Sequence, residues 1–191
     1  MKSVPINTAL WVCLLLAACA GTPDHFYTLN TLPDTGQLPQ STPTTPMRLN
    51  VMLPSLVDRS EMVLTTSKNG ILILDHERWA APLSDQVAQT LARDIEQRRG
   101  DLLIGDARFD QAASPPVSLR IDIIRMSAQR NGEASIDAHW RIVDASSGVD
   151  RLGSGSFTVS MNGDGYAAVA QAYSQLLSEL AERLAADIRR R

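Results

Sequence analysis

Val117-Ser118-Leu119-Arg120-Ile121-Asp122-Ile123 and, beyond Asn131-Gly132, Ala134-Ser135-Ile136-Asp137-Ala138-His139-Trp140-Arg141-Ile142 alternate apolar with polar side chains in two successive runs. In an extended chain every second side chain points to the same face, so each run reads as a strand with one buried and one wet side. Asn-Gly between two such runs is a strong hairpin signal. Ser146-Ser147-Gly148 turns the chain again into Leu152 through Met161. Three strands in succession make an antiparallel meander whose apolar face needs a cover.

Two helical stripes supply that cover. Between about Ala81 and Arg99, Leu83, Val87, Leu91 and Ile95 recur every four residues with Ala88 beside them. Gly100 stops this helix, and Arg98 and Arg99 sit in its last turn, where they favour the helix dipole. From about Gly165 to Arg189, Tyr166, Val169, Ala170, Tyr173, Leu177, Leu180, Leu184 and Ile188 form a second stripe at spacings of three and four. The expected fold is therefore α+β: a two-layer domain, an antiparallel meander sheet with two main amphipathic helices packed on one face.

Shorter strand signals lie upstream. His25 to Leu29 is aromatic and β-branched, and Met47 to Leu53 alternates. Glu61–Thr66 and Ile71–Leu74 flank Lys68-Asn69-Gly70 as a hairpin. Residues 30–46 hold Pro33, Pro39, Pro43 and Pro46 with many Thr, Ser and Gln, and read as a solvated, partly extended loop.

Composition narrows the function. The 191 residues are 44% apolar, 20% charged and 5% aromatic, too apolar for a disordered chain. The 18 basic and 21 acidic residues give a net charge of -3, which argues against nucleic acid as a partner.

The first residues read as an address. Lys2 precedes an apolar segment of about ten residues, as in a secretory signal peptide, too short to span a bilayer comfortably. Leu16-Ala17-Ala18-Cys19 then matches a lipobox, in which a cysteine after small residues is acylated and becomes the new N-terminus. Three segments are expected: a lipoprotein signal peptide over 1–18, a lipidated N-terminus and tether over 19–25, and one α+β domain over 26–191. Of the two cysteines, Cys13 leaves with the signal and Cys19 is lipidated, so no thiol remains for catalysis or a disulfide. Stable anchoring needs about two acyl chains, and a processed lipoprotein cysteine carries three. Ala20 rather than Asp follows Cys19, which favours the periplasmic leaflet of the outer membrane over retention at the inner one. The tether to Phe26 reaches at most about 25 Å, holding the domain close to the leaflet.

Catalytic and metal motifs give little. His25, His76 and His139 have no partner at metal-ligand spacing, so no metal site is expected, and His139 reads as a solvent-facing strand residue. Asp75-His76-Glu77 reads as acidic helix-entry chemistry. Gly153-Ser154-Gly155-Ser156 lacks the lysine and helix of a phosphate loop and reads as a bulge or bend in a strand. Asn162-Gly163-Asp164-Gly165 lacks the later bidentate acid of a calcium loop, leaving Asp164 as a helix cap. No nucleophile elbow is present. The expectation is a non-enzyme with no cofactor beyond the covalent lipid on Cys19. Trp79 reads either as a packing residue that staples the helix entry or as a contact for a partner or lipid.

In order, these segments resemble the PqiC-like family of ABC-type transport auxiliary lipoproteins. The resemblance rests on the lipobox at Cys19, Phe26-Tyr27-Thr28-Leu29, Val51-Met52-Leu53-Pro54 with Leu56-Val57-Asp58-Arg59, and Arg78-Trp79-Ala80-Ala81-Pro82-Leu83. Phe26-Tyr27 stands where the family usually has Tyr-Tyr, and Ser60-Glu61-Met62-Val63 where it often has Pro-Glu-Ile-Val. The resemblance implies an auxiliary subunit of an ABC/MCE-type intermembrane lipid transport system. Such a subunit is anchored on the periplasmic face of the outer membrane and acts by docking and assembly. Its implied partners are an MCE-domain periplasmic protein, inner-membrane permease components and the outer-membrane leaflet, with free sheet edges and helix faces open to homo-oligomer formation. Tyr27, Trp79 and Leu83 are the candidate partner or lipid contacts. A reading from another class is an outer-membrane assembly or envelope-integrity lipoprotein that binds lipopolysaccharide or an outer-membrane protein. A third, a lipid-anchored hydrolase, would require one indispensable Ser, His or Asp.

Overall fold

The alternating runs pair as strands in the computed structural model, which describes residues 22–32, 45–66, 69–100, 102–105, 117–130, 132–161, 163 and 165–189. In chain order the elements are β1 (His25–Tyr27), β2 (Thr45–Met52), β3 (Glu61–Thr65), β4 (Ile71–Trp79), α1 (Leu83–Arg99), β5 (Leu102–Gly105), β6 (Val117–Ala128), β7 (Glu133–Asp144), β8 (Val149–Ser160) and α2 (Ala167–Arg189). β6, β7 and β8 form the antiparallel meander. The fold is α+β, but the meander is part of a mixed sheet of order β5-β2-β6-β7-β8, in which β2 runs parallel to both β5 and β6. A second sheet has the order β1-β4-β3. Parallel neighbours require a long crossover, and local periodicity carries no sign of which distant strand will supply one.

Period two is realised in burial. Val117, Leu119, Ile121 and Ile123 of β6 and Ala134, Ile136, Ala138, Trp140 and Ile142 of β7 are buried, while Arg120, Asp122, His139 and Arg141 between them are exposed. α1 packs over the β2–β5 side of the covered face and α2 over β7 and β8. Leu176, Leu177, Leu180 and Leu184 of α2 are fully enclosed, each contributing about 1.5–3 kcal/mol through burial.

The helix ends follow their caps. Pro82 is extended (φ -48°, ψ 129°) and biases Ala81 away from helix, so α1 starts at Leu83, two residues after the expected start. Gly100 ends it in the left-handed region (φ +62°), its N–H donating to the Glu96 carbonyl. Gly165 has φ +97°, outside the helical region, so α2 begins at Ala167. Asp164 lies outside the described residues, as do Asn131, Lys68 and most of the proline-rich loop.

Two local expectations are corrected. Asp75-His76-Glu77 does not enter a helix; β4 continues through it to Trp79 because β1 pairs alongside in parallel, His25 against Glu77 and Tyr27 against Trp79. Gly153 and Gly155 mark no bulge, since β7 and β8 keep a one-to-one register through both. They make room: a Cβ built at Gly153 would overlap the Trp140 indole, which crosses the inner face of β8. There its Nε1–H donates to Asp187 Oδ2 (3.2 Å).

Candidate functional site

The segment just downstream of Cys19 is stitched to the domain. β1 adds to β4, Ala80 N–H donates to the Tyr27 carbonyl (2.9 Å), Leu29 N–H to Gln86 Oε1 of α1 (2.9 Å), and Asn30 N–H to Ser174 Oγ of α2 (3.1 Å). The chain thus crosses both helices before it leaves for the proline-rich loop.

Glu77 anchors this crossing. Its carboxylate accepts the Tyr27 hydroxyl (2.5 Å) and lies 3.1 Å from His25 Nδ1; Asp24 Oδ1 lies 2.9 Å from His76 Nδ1. Burial, then the adjoining Glu77, pushes the Tyr27 phenol up to about 12, so it remains a neutral donor at physiological pH. These are positioning contacts. Among the described residues no group of three or more His, Cys, Asp or Glu side chains is placed to hold a metal ion.

Of the candidate contacts, Tyr27 is half-buried at the rim of a cleft of about 410 Å³ between this segment and α2, beside exposed Phe26. Trp79 and Leu83 are 4% and 1% exposed. The Trp79 ring centre lies 6.1 Å from that of Tyr173. Both are core side chains beneath the crossing segment and present no surface to a partner, because β4 delivers Trp79 inward at the sheet–helix junction. Leu16, Ala17, Ala18 and Cys19 lie outside the described residues.

Two open surfaces were not gathered from the sequence. On the uncovered face of the larger sheet, Arg120, Asp122, His139, Arg141, Leu152 and Ser154 line a groove of about 450 Å³. Arg120 and Arg141 stand directly opposite each other in the β6–β7 register, an unfavourable pairing by itself. Asp150 offsets it by accepting from Arg141 through both carboxylate oxygens (2.8 and 2.5 Å). The second surface is the β3–β4 hairpin, where Ile71, Leu72 and Ile73 are 44%, 42% and 40% exposed. Alternation identified the outward positions of β6 and β7, but not which of them the register brings together.

The sequence matches the family described as ABC-type transport auxiliary lipoprotein component over residues 27–185. No curated protein sequence matches the chain. Among solved structures, a crystal structure of an uncharacterised protein is similar at TM-score 0.72 and 16% identity, the match covering 87% of this chain and 99% of that one. Protein XCC0632 from Xanthomonas campestris is similar at TM-score 0.61 and 20% identity, covering 84% of this chain and 91% of that one. At these identities the likeness is one of fold. Among the described residues no helix is long and apolar enough to cross a membrane.

Proposed function

The chain belongs to the family of ABC-type transport auxiliary lipoprotein components, and from that premise we propose that it is the outer-membrane-anchored, periplasmic docking subunit of an ABC/MCE-type lipid transport system. Acyl chains on Cys19 hold it to the inner leaflet of the outer membrane, and residues 26–191 form the docking domain. Its partners are an MCE-domain periplasmic protein and, through it, the inner-membrane permease. It acts by position and contact, without a catalytic residue or a cofactor other than its lipid.

The observation that carries this reading is the extent of the family match, which runs from Tyr27 in β1 to Ala185 near the end of α2. The geometry supports it physically. A crossing segment fastened to β4, α1 and α2 passes any pull on the anchor directly into the core. Among the described residues, the outward face of β6, β7 and β8 and the outer edge of β8 stay open for assembly.

Affinity capture of the lipidated protein from gently solubilised envelopes, followed by mass spectrometry of proteins and lipids, tests the proposal. Recovery of an MCE-domain protein together with phospholipid is the expected result. Recovery of an outer-membrane barrel or its assembly machinery without an MCE protein would overturn it in favour of an assembly role.

A further inference from the structure

Among the described residues nothing covers the apolar end of the β3–β4 hairpin. Ile71, Leu72 and Ile73 are consecutive, so their side chains alternate between the two faces of β4. All three are nonetheless 40–44% exposed. Exposure on both faces means that this end of β4 stands clear of the core. The opposite strand does not share the exposure: Val63 and Leu64, paired with Ile73 and Leu72, are 6% and 1% exposed.

The position of this end relative to the anchor indicates what covers it. β1 runs parallel to β4, so its upstream end points toward the start of β4, which is the hairpin. Asp24 is fixed beside His76, and three strand steps, roughly 10 Å, separate His76 from Ile73. Cys19 lies five residues before Asp24, a reach of at most about 18 Å. A leaflet that holds the acyl chains of Cys19 therefore lies within reach of the exposed apolar residues. Charge agrees: from Met62 to Leu74 the sequence has a single charged residue, Lys68, and no acid, within a chain of net charge -3. The apolar end itself presents no acid to an anionic headgroup layer; the nearest acid along β4 is exposed Asp75, two residues beyond Ile73.

We propose that the apolar end of the β3–β4 hairpin, Ile71-Leu72-Ile73, inserts into the headgroup–acyl boundary of the leaflet as a second, non-covalent contact. This rests on the reading of Cys19 as the lipid anchor. The two contacts together fix the orientation of the domain, which a single flexible tether cannot do. The end of the β3–β4 hairpin points into the bilayer, and the outward face of β6, β7 and β8 remains available to a periplasmic partner.

The test uses the full chain, processed in a bacterial host and reconstituted into vesicles of phosphatidylethanolamine and phosphatidylglycerol. Leu72→Cys carries an environment-sensitive fluorophore, and Ser154→Cys, on the exposed outer face of β8, is the control. Mass spectrometry of the N-terminal peptide reads acylation of Cys19 independently. The expected result at Leu72→Cys is blue-shifted emission, loss of iodide quenching and quenching by nitroxide-bearing lipids, with Ser154→Cys remaining aqueous. An aqueous Leu72→Cys label on an acylated protein would overturn the hairpin contact while leaving the anchor intact. An aqueous label with no acyl group would overturn both. Shielding in native envelopes but not in protein-free vesicles would also overturn the proposal, assigning the hairpin to a protein partner.

Discussion

In the β3–β4 hairpin the paired segments Met62–Leu64 and Leu72–Leu74 are both wholly apolar yet meet different fates. Met62, Val63 and Leu64 are 0%, 6% and 1% exposed, whereas Ile73 and Leu72, directly opposite Val63 and Leu64 in the register, are 40% and 42% exposed. β3 packs beside the end of β6, with Thr65 Oγ1 donating to the Ala128 carbonyl (3.1 Å), and belongs to the main core. β4 buries only Trp79, at its far end, in that core, with Leu74 packed partly against it. Apolar character sets how much a residue gains by leaving water; position in the fold decides whether it leaves. Enclosure, rather than hydropathy, should therefore rank the effects of substitution.

The largest effect is expected inside β3. Leu64→Ala should lose about 2–5 kcal/mol of stability in denaturant unfolding, from lost burial and the cavity left behind. A loss below about 1 kcal/mol would mean that the site collapses freely and that β3 is less enclosed than its burial states. Next is an atom added where there is no room. Gly153→Ala should cost about 1–3 kcal/mol by displacing the Trp140 indole, and the thermal midpoint should fall accordingly. An unchanged midpoint would show that the indole swings aside without loss.

A smaller effect belongs to the β7–β8 turn, where Asp144 accepts from Ser146 N–H (3.0 Å), Ser146 Oγ (2.5 Å) and Ser147 N–H (3.4 Å). Asp144→Ala should cost about 1–2 kcal/mol at neutral pH. The Ser146 hydroxyl, followed by Ser147, holds the Asp144 carboxyl down to about 2, against an ordinary value of 3.8. A carboxyl depressed in the folded state contributes stability above its unfolded value and loses it as pH falls through the folded one. The Asp144 contribution should thus be complete above about pH 4 and disappear toward pH 2. An acid-unfolding profile that Asp144→Ala leaves unchanged in that interval would contradict this.

Tyr173 sits fully enclosed in α2, its hydroxyl without a hydrogen-bond partner among the described residues, and burial pushes its phenol up. Tyr173→Phe should be neutral or stabilise by up to about 1 kcal/mol, since it removes an unsatisfied polar group. Destabilisation in a denaturant titration would reveal a partner for that hydroxyl. The smallest effect returns to the hairpin: Leu72→Ala should change stability in detergent solution by less than about 0.5 kcal/mol. A loss matching that of Leu64→Ala would erase the contrast between the arms.

Local pattern carried much of the architecture. The meander, the two helical stripes, the Gly100 stop and the turn before Ile71 were legible because each depends on residues a few positions apart, which a period of two or near four records directly. The β2–β6 parallel pairing, the four-residue β5 and the joining of β1 to β4 were not, because they bring together residues about 50–70 positions apart in the chain. Trp79 illustrates the limit at the candidate site. Its sequence allowed a packing or a contact role, and only the parallel β1 strand and the facing Tyr173 put it inside.

By itself the sequence determined the alternating strands, the amphipathic helices and the α+β class, because side-chain periodicity and turn chemistry are properties of adjacent residues. It also carried the family's ordered motifs from Phe26 to Leu83. Only the tertiary structure decided that glycines in β8 serve an indole from β7, that two arginines meet on the open sheet face, and that one hairpin arm is buried while the other is bare. Those outcomes depend on which distant surfaces meet, and contact between remote segments is settled by the shape of the whole fold.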